Sequence, residues 1–504
     1  MRRVTGEKCE HETRESRERS GESFHRQAST NHRKTREAHK DHTMPLFTLG
    51  IRPKSIRFSP MGAVIVLLIF TVHAGKPEWD NRHIIDSHGR ITIYHGVNVA
   101  NYSKHAPGSL PWHTREDFAR LNRWGLNLVR YLLFWHAIEP RQGHYDTAYV
   151  ESTRVRIGWL RELGIDVLLD MHQDLYTKRF TGDGFPEWTV NDEGKKFERR
   201  TPWSKNYFQP AVKASYRNFW KSDTLKKQYI DALCFVVEQT DTFENVMGID
   251  VMNEPYGGYV LRRRFERRRL SAFYARILKE MRDRGFRMRM VFEPAWQSNS
   301  FLSSRLKWNP DTGCIYAPHY YDPLCHEGKA YGWFNRRLLK RAFRTKSREA
   351  RRFNVPLIMG EFGISQEVRN YQGFVRDYLR ECEKRGAGWC YYAYDKLSHS
   401  HFGLLDDDGT RRRVVEELVR IYPQKIAGRE PRIIRTDSSF TLTYSPVDID
   451  SPTVIFVPAE VTVAASTANG EKRGLDGRLL NHTNDGPERQ RIEIVFDSKK
   501  SVPD

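Results

Sequence analysis

The chain has 504 residues, of which 39% are hydrophobic and 12% aromatic, and its formal net charge is +20. This length is too great for one ordinary domain and suits a barrel of roughly 250–350 residues followed by a smaller domain. A basic balance can indicate a nucleic acid or an anionic membrane as partner, but here the charge is mostly Arg spread along helices, so solvated helix faces are the favoured interpretation. No RNA-binding motif or zinc-finger spacing accompanies it, so we expect no nucleic-acid partner and keep membrane-surface association as a hypothesis.

The N-terminal region has the composition of a targeting sequence. Residues 1–60 are charged and rich in His, so we predict that they are disordered or an extension of the gene model, with translation beginning at Met44 or Met61. Residues 61–75 contain the apolar run GAVIVLLIFTVHA after a basic stretch, which is typical of a secretory signal peptide. We therefore expect a secreted protein; a signal anchor is the alternative.

Two further features bear weakly on export. Asn101 and Asn481 each begin an N-glycosylation sequon. Cys314 and Cys325 flank one predicted loop and would be able to form a disulfide in an exported protein, with buried free thiols as the alternative.

From about residue 84 onward, short apolar runs alternate with longer amphipathic segments. The predicted strands are 91–99, 126–131, 165–171, 246–252, 288–292, 314–318, 355–360 and 387–392. Helical patterns lie between most of them, at 147–163, 225–240, 265–284, 338–352 and 368–385. Eight apolar strands alternating with helices indicate a closed parallel (β/α)8 TIM barrel, and no GxGxxG motif favours a dinucleotide-binding sheet.

The pattern changes after residue 424. Short runs of alternating apolar and polar residues, separated by Pro, Gly and Asp, predict a small all-β sandwich over 425–504. The predicted organisation is therefore α/β, with a (β/α)8 catalytic domain at 76–424 followed by the β-sandwich domain. We expect the second domain to brace the first.

Catalytic groups of such barrels project from the carboxyl ends of the strands. The fourth predicted strand ends in Asn253-Glu254-Pro255 and the seventh in Gly360-Glu361. Two carboxyl groups that face each other across the barrel mouth suit hydrolysis of a glycosidic bond with retention, which requires a separation of about 5–5.5 Å. Glu293, at the end of the fifth strand, is interpreted as a structural or rim carboxylate.

Residues at other strand ends suit supporting roles. Asn253 is placed to bind the sugar 2-hydroxyl group, and His319 and Tyr321 to orient the two glutamates. Arg130, at the end of the second strand, would keep the nucleophile ionised. A metal site built from His172, Asp174 and Glu254 is an alternative interpretation; we expect no metal and no cofactor.

These segments resemble glycoside hydrolase family 5 of clan A, and more narrowly the endoglycoceramidases and their glycosylceramidase-like relatives. The resemblance rests on residues 98–104 (NVANYSK), 170–185 (DMHQDLYTKRFTGDGF), 249–255 (IDVMNEP) and 360–363 (GEFG). It implies that Glu254 is the acid/base and Glu361 the nucleophile, and that the β-linkage between a glycan and ceramide is cleaved without a cofactor. It also implies a sugar subsite lined by Lys104, His172, Asp174, Asn253, His319 and Tyr321.

The chain departs from the family at the end of the eighth strand. The family has a Trp under the sugar ring, whereas Tyr392 occupies the matching place and Trp389 precedes it by three residues. A Tyr offers a smaller apolar face, so glycan preference is open.

Several alternatives remain. The first is another family 5 activity: a glucosylceramidase, a steryl-β-glucosidase or an endo-β-glucanase, the last disfavoured because few Trp flank the strand ends. The second is a catalytically inactive barrel that binds glycolipid. The expected partner is a glycosphingolipid, and a monomer is the expected state.

Overall fold

The computed structural model describes residues 82–99 and 101–497. The predicted N-terminal extension and signal segment lie outside this range. Within it, no helix combines the length and hydropathy that a membrane span requires. Cys314 and Cys325 are both free and buried, so the described structure has no disulfide between them.

The catalytic domain is a (β/α)8 barrel, as predicted. Its parallel strands, called barrel strands one to eight, are His95–Val99, Leu128–Leu133, Asp166–Met171, Val246–Asp250, Met290–Phe292, Cys314–Tyr316, Ile358–Phe362 and Gly388–Tyr391. Strand one pairs with strands two and eight, and a parallel bridge between Tyr316 and Leu357 joins strand six to strand seven. That bridge closes the barrel.

The barrel interior has an apolar layer below a polar one. Leu128, Leu168 and Val291 belong to one buried apolar cluster with Ile358 and Cys390. Side chains alternate between the two faces of a strand, so the residue two positions onward also points inward. Those residues include Arg130, Asp170 and Glu293, all completely buried. The sequence therefore places a charged layer directly above the apolar one.

Helices cover the outside of the barrel. The α-helices are Arg115–Arg123, Trp135–Ile138, Thr147–Glu162, Pro210–Lys221, Asp223–Thr240, Arg262–Arg264, Ser271–Asp283, Pro323–His326, Trp333–Phe353, Tyr371–Glu383 and Val414–Leu418. A π-helical turn, Phe265–Leu270, precedes Ser271–Asp283. Short 3-10 turns are Asn101–Lys104, Pro107–Ser109, Lys178–Phe180, Glu187–Thr189, Trp203–Phe208 and Trp296–Ser298. Strands five and six are joined through Trp296–Ser298 alone, without an α-helix in the described segment.

The second domain is a β-sandwich of two antiparallel five-stranded sheets. One sheet contains Ile84–Ile85, Ile91–Thr92, Tyr422–Ile426, Thr453–Phe456 and Leu479–His482. The other contains Gly428–Arg435, Ser439–Pro446, Gln490–Phe496, Val463–Ala468 and Glu471–Lys472. The Thr453 hydroxyl donates to Tyr444 Oη over 2.8 Å and links the sheets.

The first sheet takes two strands from the start of the described chain. The sequence pattern assigns Ile91 to the first barrel strand, whereas Ile91–Thr92 pairs with Lys425 and Ile426 of the sandwich. The chain then enters the barrel at His95. Two-residue strands carry no periodic signal, which explains why the pattern misses them.

The two domains share a packed interface. Tyr422 donates to the Gly125 carbonyl over 2.5 Å, and its ring stacks on His95 at 3.5 Å. Glu383, from the helix Tyr371–Glu383, accepts from Arg420 at 3.2 Å and Arg435 at 2.9 Å. Burial by itself raises the pKa of Glu383, but the two guanidinium charges outweigh burial and lower it. The interface thus combines apolar burial with a paired charge.

Gly125→Ala tests this interface. Gly125 has φ +72°, and a Cβ at this position would meet the Phe456 ring at 2.3 Å. We expect a loss of roughly 1–2 kcal/mol from the left-handed backbone and about 1–3 kcal/mol from overpacking. Gly143→Ala is the matched control, since Gly143 has φ +76° but open space around it. Denaturant unfolding measures both, and equal losses would show that Phe456 does not constrain the interface.

Candidate active site

Arg130 lies at the centre of the polar layer. Its guanidinium contacts Glu361 at 2.7 Å, Asp250 at 2.9 Å, Asp170 at 3.0 Å and Glu293 at 3.2 Å. These carboxyl groups come from four other strand ends, and Arg130 is completely buried. One cation therefore compensates several acidic groups that have no access to water.

Burial shifts the pKa values of two acidic groups beneath the site upward. Burial raises the pKa of Glu293 well above its usual value, and burial also raises that of Asp250, with Arg130 opposing the shift. Glu293 accepts from the Glu254 backbone N–H over 3.1 Å, so it is a structural group below the site and not a rim carboxylate.

Glu254 follows strand four in an unusual backbone conformation, with φ +41°. Gln173 donates to the carbonyl groups of Asn253 and Glu254 at 2.7 and 3.1 Å. Residues other than Gly reach this region only when their surroundings hold them there. The side-chain oxygen Oε1 accepts from Asn299 at 3.1 Å and contacts His319 Nδ1 at 3.0 Å. The carboxyl group is thus held rigidly at the mouth.

The two predicted catalytic glutamates have opposite pKa shifts. Burial, together with the charge of Glu361, raises the pKa of Glu254. Burial alone would raise the pKa of Glu361 as well, but the charges of His319 and Arg130 outweigh it and lower the pKa. Tyr321 also donates to Glu361 Oε2 over 2.9 Å, which favours the ionised form. The site therefore favours the protonated form of Glu254 and the ionised form of Glu361.

His319 lies between these two carboxyl groups. Its Nδ1 is 3.0 Å from Glu254 Oε1 and 3.6 Å from Glu361 Oε2, and its Nε2 is 3.1 Å from Glu293. Although burial opposes protonation, Glu293 and Glu361 raise the pKa of His319 well above its usual value. Two carboxyl groups that contact one nitrogen lie close enough for the separation of about 5–5.5 Å that retention requires.

The predicted sugar-binding residues form a second connected group. Lys104 Nζ is 2.7 Å from Asp174 Oδ2, and the Tyr207 hydroxyl donates to Asp174 Oδ1 over 2.9 Å. His172 Nδ1 is 2.6 Å from Asp170, and its Nε2 is 3.4 Å from Asp174. Asp170 and Asp174 overcome burial and the Lys104 charge to raise the pKa of His172 to about 9.

Asn253 lies between the Arg130 cluster and the predicted sugar-binding residues. Its oxygen accepts from Arg130 over 3.1 Å, and its nitrogen donates to the Gln173 carbonyl over 3.1 Å. An amide nitrogen has two hydrogens, so one remains for a ligand hydroxyl group.

Sequence reasoning missed Asp183 and Tyr207. Burial raises the pKa of Asp183 to about 6, with Lys104 opposing the shift, and its Oδ1 has no hydrogen-bond partner among the described residues. The backbone bridge between Asp174 and Asp183 brings this residue to the site. The only sequence signal for Asp183 was its position within the segment 170–185. Because Asp183 lies in a loop and not at the end of a strand, the strand-end argument does not identify it.

Tyr392 and Trp389 separate at the end of strand eight. Tyr392 faces the site, where its hydroxyl donates to Asn101 Oδ1 over 2.6 Å and Lys104 Nζ lies 5.3 Å from its ring centre. Trp389 does not join the site, because it is buried against His95 and Phe362 at ring distances of 4.6 and 5.8 Å. Cys390 points into the barrel, so its neighbour Trp389 points toward the helices.

Among residues 82–99 and 101–497, two buried clusters have geometry that would admit a metal ion: His172, Asp174 and Asp183, and Asp250, Glu293 and His319. The charges in both clusters suit hydrogen bonding better than binding of a metal ion. Lys104 already pairs with Asp174, and a protonated His172 has no free lone pair for a metal. The second cluster contacts Arg130 and contains His319, whose pKa is raised well above its usual value by Glu293 and Glu361 against the effect of burial. The alternative metal set with Glu254 is not assembled, since Glu254 belongs to neither cluster.

Comparisons with known proteins agree with this architecture. The family model described as cellulase (glycosyl hydrolase family 5) matches residues 86–398. Endoglycoceramidase I of Rhodococcus hoagii (strain 103S) is 28% identical over 413 residues, which cover 75% of this chain and 79% of that protein.

Solved structures extend the match across both domains. Endo-glycoceramidase II from Rhodococcus sp. in complex with ganglioside GM3 is 28% identical with a TM-score of 0.75, and the match covers 82% of this chain and 99% of that one. The same enzyme as a lactosyl-enzyme intermediate gives 28% identity, a TM-score of 0.73 and the same coverage. With its family 5 match spanning most of the barrel, the chain belongs to glycosyl hydrolase family 5.

Proposed function

We propose that this family 5 enzyme hydrolyses the β-glycosidic bond between the glycan and ceramide of glycosphingolipids, with retention of configuration. The observation that carries the proposal is the pair Glu254 and Glu361 around His319. The match to the GM3-bound endo-glycoceramidase covers 82% of this chain and 99% of that one. The lactosyl-enzyme intermediate of that relative supports a covalent mechanism.

The proposed reaction has two displacements. Glu361 attacks the anomeric carbon while protonated Glu254 donates its proton to the ceramide oxygen, which leaves as an alcohol. Glu254, now ionised, then removes a proton from a water molecule that attacks the same carbon and releases Glu361. The opposite pKa shifts of the two groups suit this division of roles.

The remaining polar groups bind the sugar. The free N–H of Asn253 suits the 2-hydroxyl group, a contact that strengthens in the transition state. Lys104, Asp174 and His172 offer charged donors and acceptors, and we assign them to hydroxyl groups of the sugars on the glycan side. Tyr392 provides an apolar face that the hydroxyl bond to Asn101 holds in place. Because the Tyr392 ring is smaller than the Trp ring of the family, we expect it to favour some glycans over others.

Membrane-surface association and export are parts of the same proposal. A glycosphingolipid lies in a bilayer, and the net charge of +20 suits an anionic surface. For export, Asn481 has an exposed position in Leu479–His482, whereas both amide atoms of Asn101 are engaged, its Nδ2 by the His399 carbonyl.

We expect secreted protein from a eukaryotic host to carry a glycan at Asn481. Deglycosylation with a glycan-releasing amidase should lower its mass, and Asn481→Gln should remove that change while Asn101→Gln should not. Intact-mass measurement together with N-terminal sequencing checks this. Protein retained inside the cell and unmodified at both sites would contradict the export proposal.

The substrate proposal is tested by identifying both products. A protein from residue 76 onward is incubated in detergent with a panel of glycosphingolipids that carry a fluorescent ceramide. We expect intact oligosaccharide and free ceramide. Release of single sugars alone would instead indicate a glucosylceramidase or steryl-glucosidase activity, and cleavage of plain β-glucan alone would refute the lipid substrate.

Two variants keep this assay specific. Glu361→Gln should abolish all turnover while the protein still folds and binds glycolipid, because no nucleophile remains. Glu254→Gln should lose about 10²–10⁴-fold in kcat/KM on glycolipid. It should lose much less in kcat/KM on dinitrophenyl β-lactoside, whose leaving group requires no proton, while kcat stays low because the second displacement still lacks its base. Unchanged activity of either variant on glycolipid would contradict the assigned roles.

The pH profile follows from the pKa shifts. Glu361 must be ionised, so activity rises with pH through its lowered pKa; Glu254 must be protonated, so activity falls as pH rises through its raised pKa. Protonated His319 lowers both pKa values, and His319→Gln should move both limbs of the kcat/KM profile upward by about 1–2 pH units. Tyr321→Phe, the matched control, should move only the acidic limb. An unshifted profile in His319→Gln would refute the role of this charge.

A further inference from the structure

The mouth of the barrel carries large apolar side chains that are open to solvent. Those in the segments leading from a barrel strand to the next helix are Trp203, Phe208, Tyr259, Leu261, Trp333, Phe334 and Leu397, here called the mouth rim. Elsewhere in the described residues, the exposed large apolar side chains are Val155, Leu302, Ile434 and Val495. The apolar exposure is therefore concentrated at the end of the barrel where the active site opens.

One part of the mouth rim begins a strongly basic helix. Trp333 and Phe334 are 72% and 49% exposed at the start of Trp333–Phe353. The next turns present Arg337, Lys340 and Arg341, which form no ion pair with any described residue. Arg337 lies 5.8 Å from the centre of the Trp333 ring. Aromatic and basic side chains thus form one continuous surface.

No acidic group on this helix neutralises that surface. Its single carboxylate, Glu349, is buried and accepts from Tyr316 over 2.7 Å. On the neighbouring helix, Asp377 pairs with Arg336 at 3.1 Å. The remaining basic groups of the first turns have no ion-pair partner among the described residues.

A second part of the mouth rim repeats the combination. Lys213 Nζ lies 5.6 Å from the ring centre of Phe208 and 5.4 Å from that of Tyr259. Leu261 is 80% exposed nearby in sequence. Phe208 directly follows Tyr207, which donates to Asp174 in the sugar subsite. The surface therefore continues from the rim to the site.

We infer that the mouth rim is a docking surface for a bilayer that contains anionic phospholipid. Exposed Trp and Phe beside Arg and Lys suit the boundary between acyl chains and negatively charged headgroups. The inference rests on the proposed function, because docking through the mouth brings the sugar–ceramide bond of a membrane glycolipid to the two glutamates. The charge complementarity commits the surface to anionic lipid.

The same helix supplies a control at its other end. An α-helix rises 1.5 Å per residue, so Arg348 and Arg351 lie about 22–27 Å from Trp333. Both are exposed. Screening at physiological salt acts over about 8 Å, so these charges are too far from a bilayer at the mouth to contribute.

Flotation with vesicles tests the surface. The secreted protein is mixed with vesicles of phosphatidylcholine, or of phosphatidylcholine and phosphatidylserine in a ratio of three to one. Each basic group near an anionic surface strengthens binding about fivefold. We expect Arg337→Gln/Arg341→Gln to weaken binding to the anionic vesicles about tenfold or more, and Arg348→Gln/Arg351→Gln to change it less than about twofold. Trp333→Ser/Phe334→Ser should weaken binding to both kinds of vesicle.

Cleavage of glycolipid in detergent should be unchanged in all three variants, which separates docking from catalysis and from misfolding. Retained binding by Arg337→Gln/Arg341→Gln, or an equal loss in the control pair, would overturn the inference. So would binding that requires a sialylated glycolipid in place of phosphatidylserine, or binding lost in Arg432→Gln/Ile434→Ser of the sandwich. Failure of wild-type protein to cleave glycolipid in detergent, with intact docking, would refute the proposed function instead.

Discussion

The buried guanidinium of Arg130 is the interaction on which the site depends. Without it, Asp170, Asp250, Glu293 and Glu361 would share a space from which water is excluded, and each ionised group would carry a large desolvation cost. Arg130 remains charged at any accessible pH, so it opposes the rise that burial causes in the pKa of Asp250, Glu293 and Glu361. The contrast between Glu361 and Glu254 is a result of this arrangement, because one contacts the guanidinium directly and the other does not.

Much of the barrel was predictable because its strands are long apolar runs and its chemistry follows their carboxyl ends. Glu254, Glu361 and Arg130 were predicted as site residues in this way, and the structure places all three side chains around one cluster. The supporting residues were harder to identify. Trp389 was misplaced because a strand alternates its faces, and only the inward position of Cys390 shows which face Trp389 occupies. Asp183 and the hairpin of Ile84–Ile85 and Ile91–Thr92 depend on pairing between distant or very short segments, which no local pattern records.

The β-sandwich contacts the barrel at the amino-terminal ends of the strands. His95 begins barrel strand one and stacks on Tyr422, and Gly125 precedes strand two. The catalytic groups lie at the opposite ends of the same strands. This arrangement suits a bracing role: the sandwich contacts the chain where strands one and two begin and leaves the mouth free for substrate. It also explains why the sandwich recruits residues from the beginning of the described chain, since those residues lead directly into strand one.

The two hydrogen bonds of Asn101 have a consequence for biosynthesis. In a compartment that modifies sequons, transfer of an oligosaccharide to Asn101 competes with folding for the same amide nitrogen. A chain modified there loses the contact with the His399 carbonyl and carries a bulky group beside Tyr392, at the floor of its own sugar subsite. The order in which the nascent chain folds and meets the transferase then decides how much of the protein is active. Formation of the 3-10 turn Asn101–Lys104 before the transferase acts would protect the enzyme from this loss.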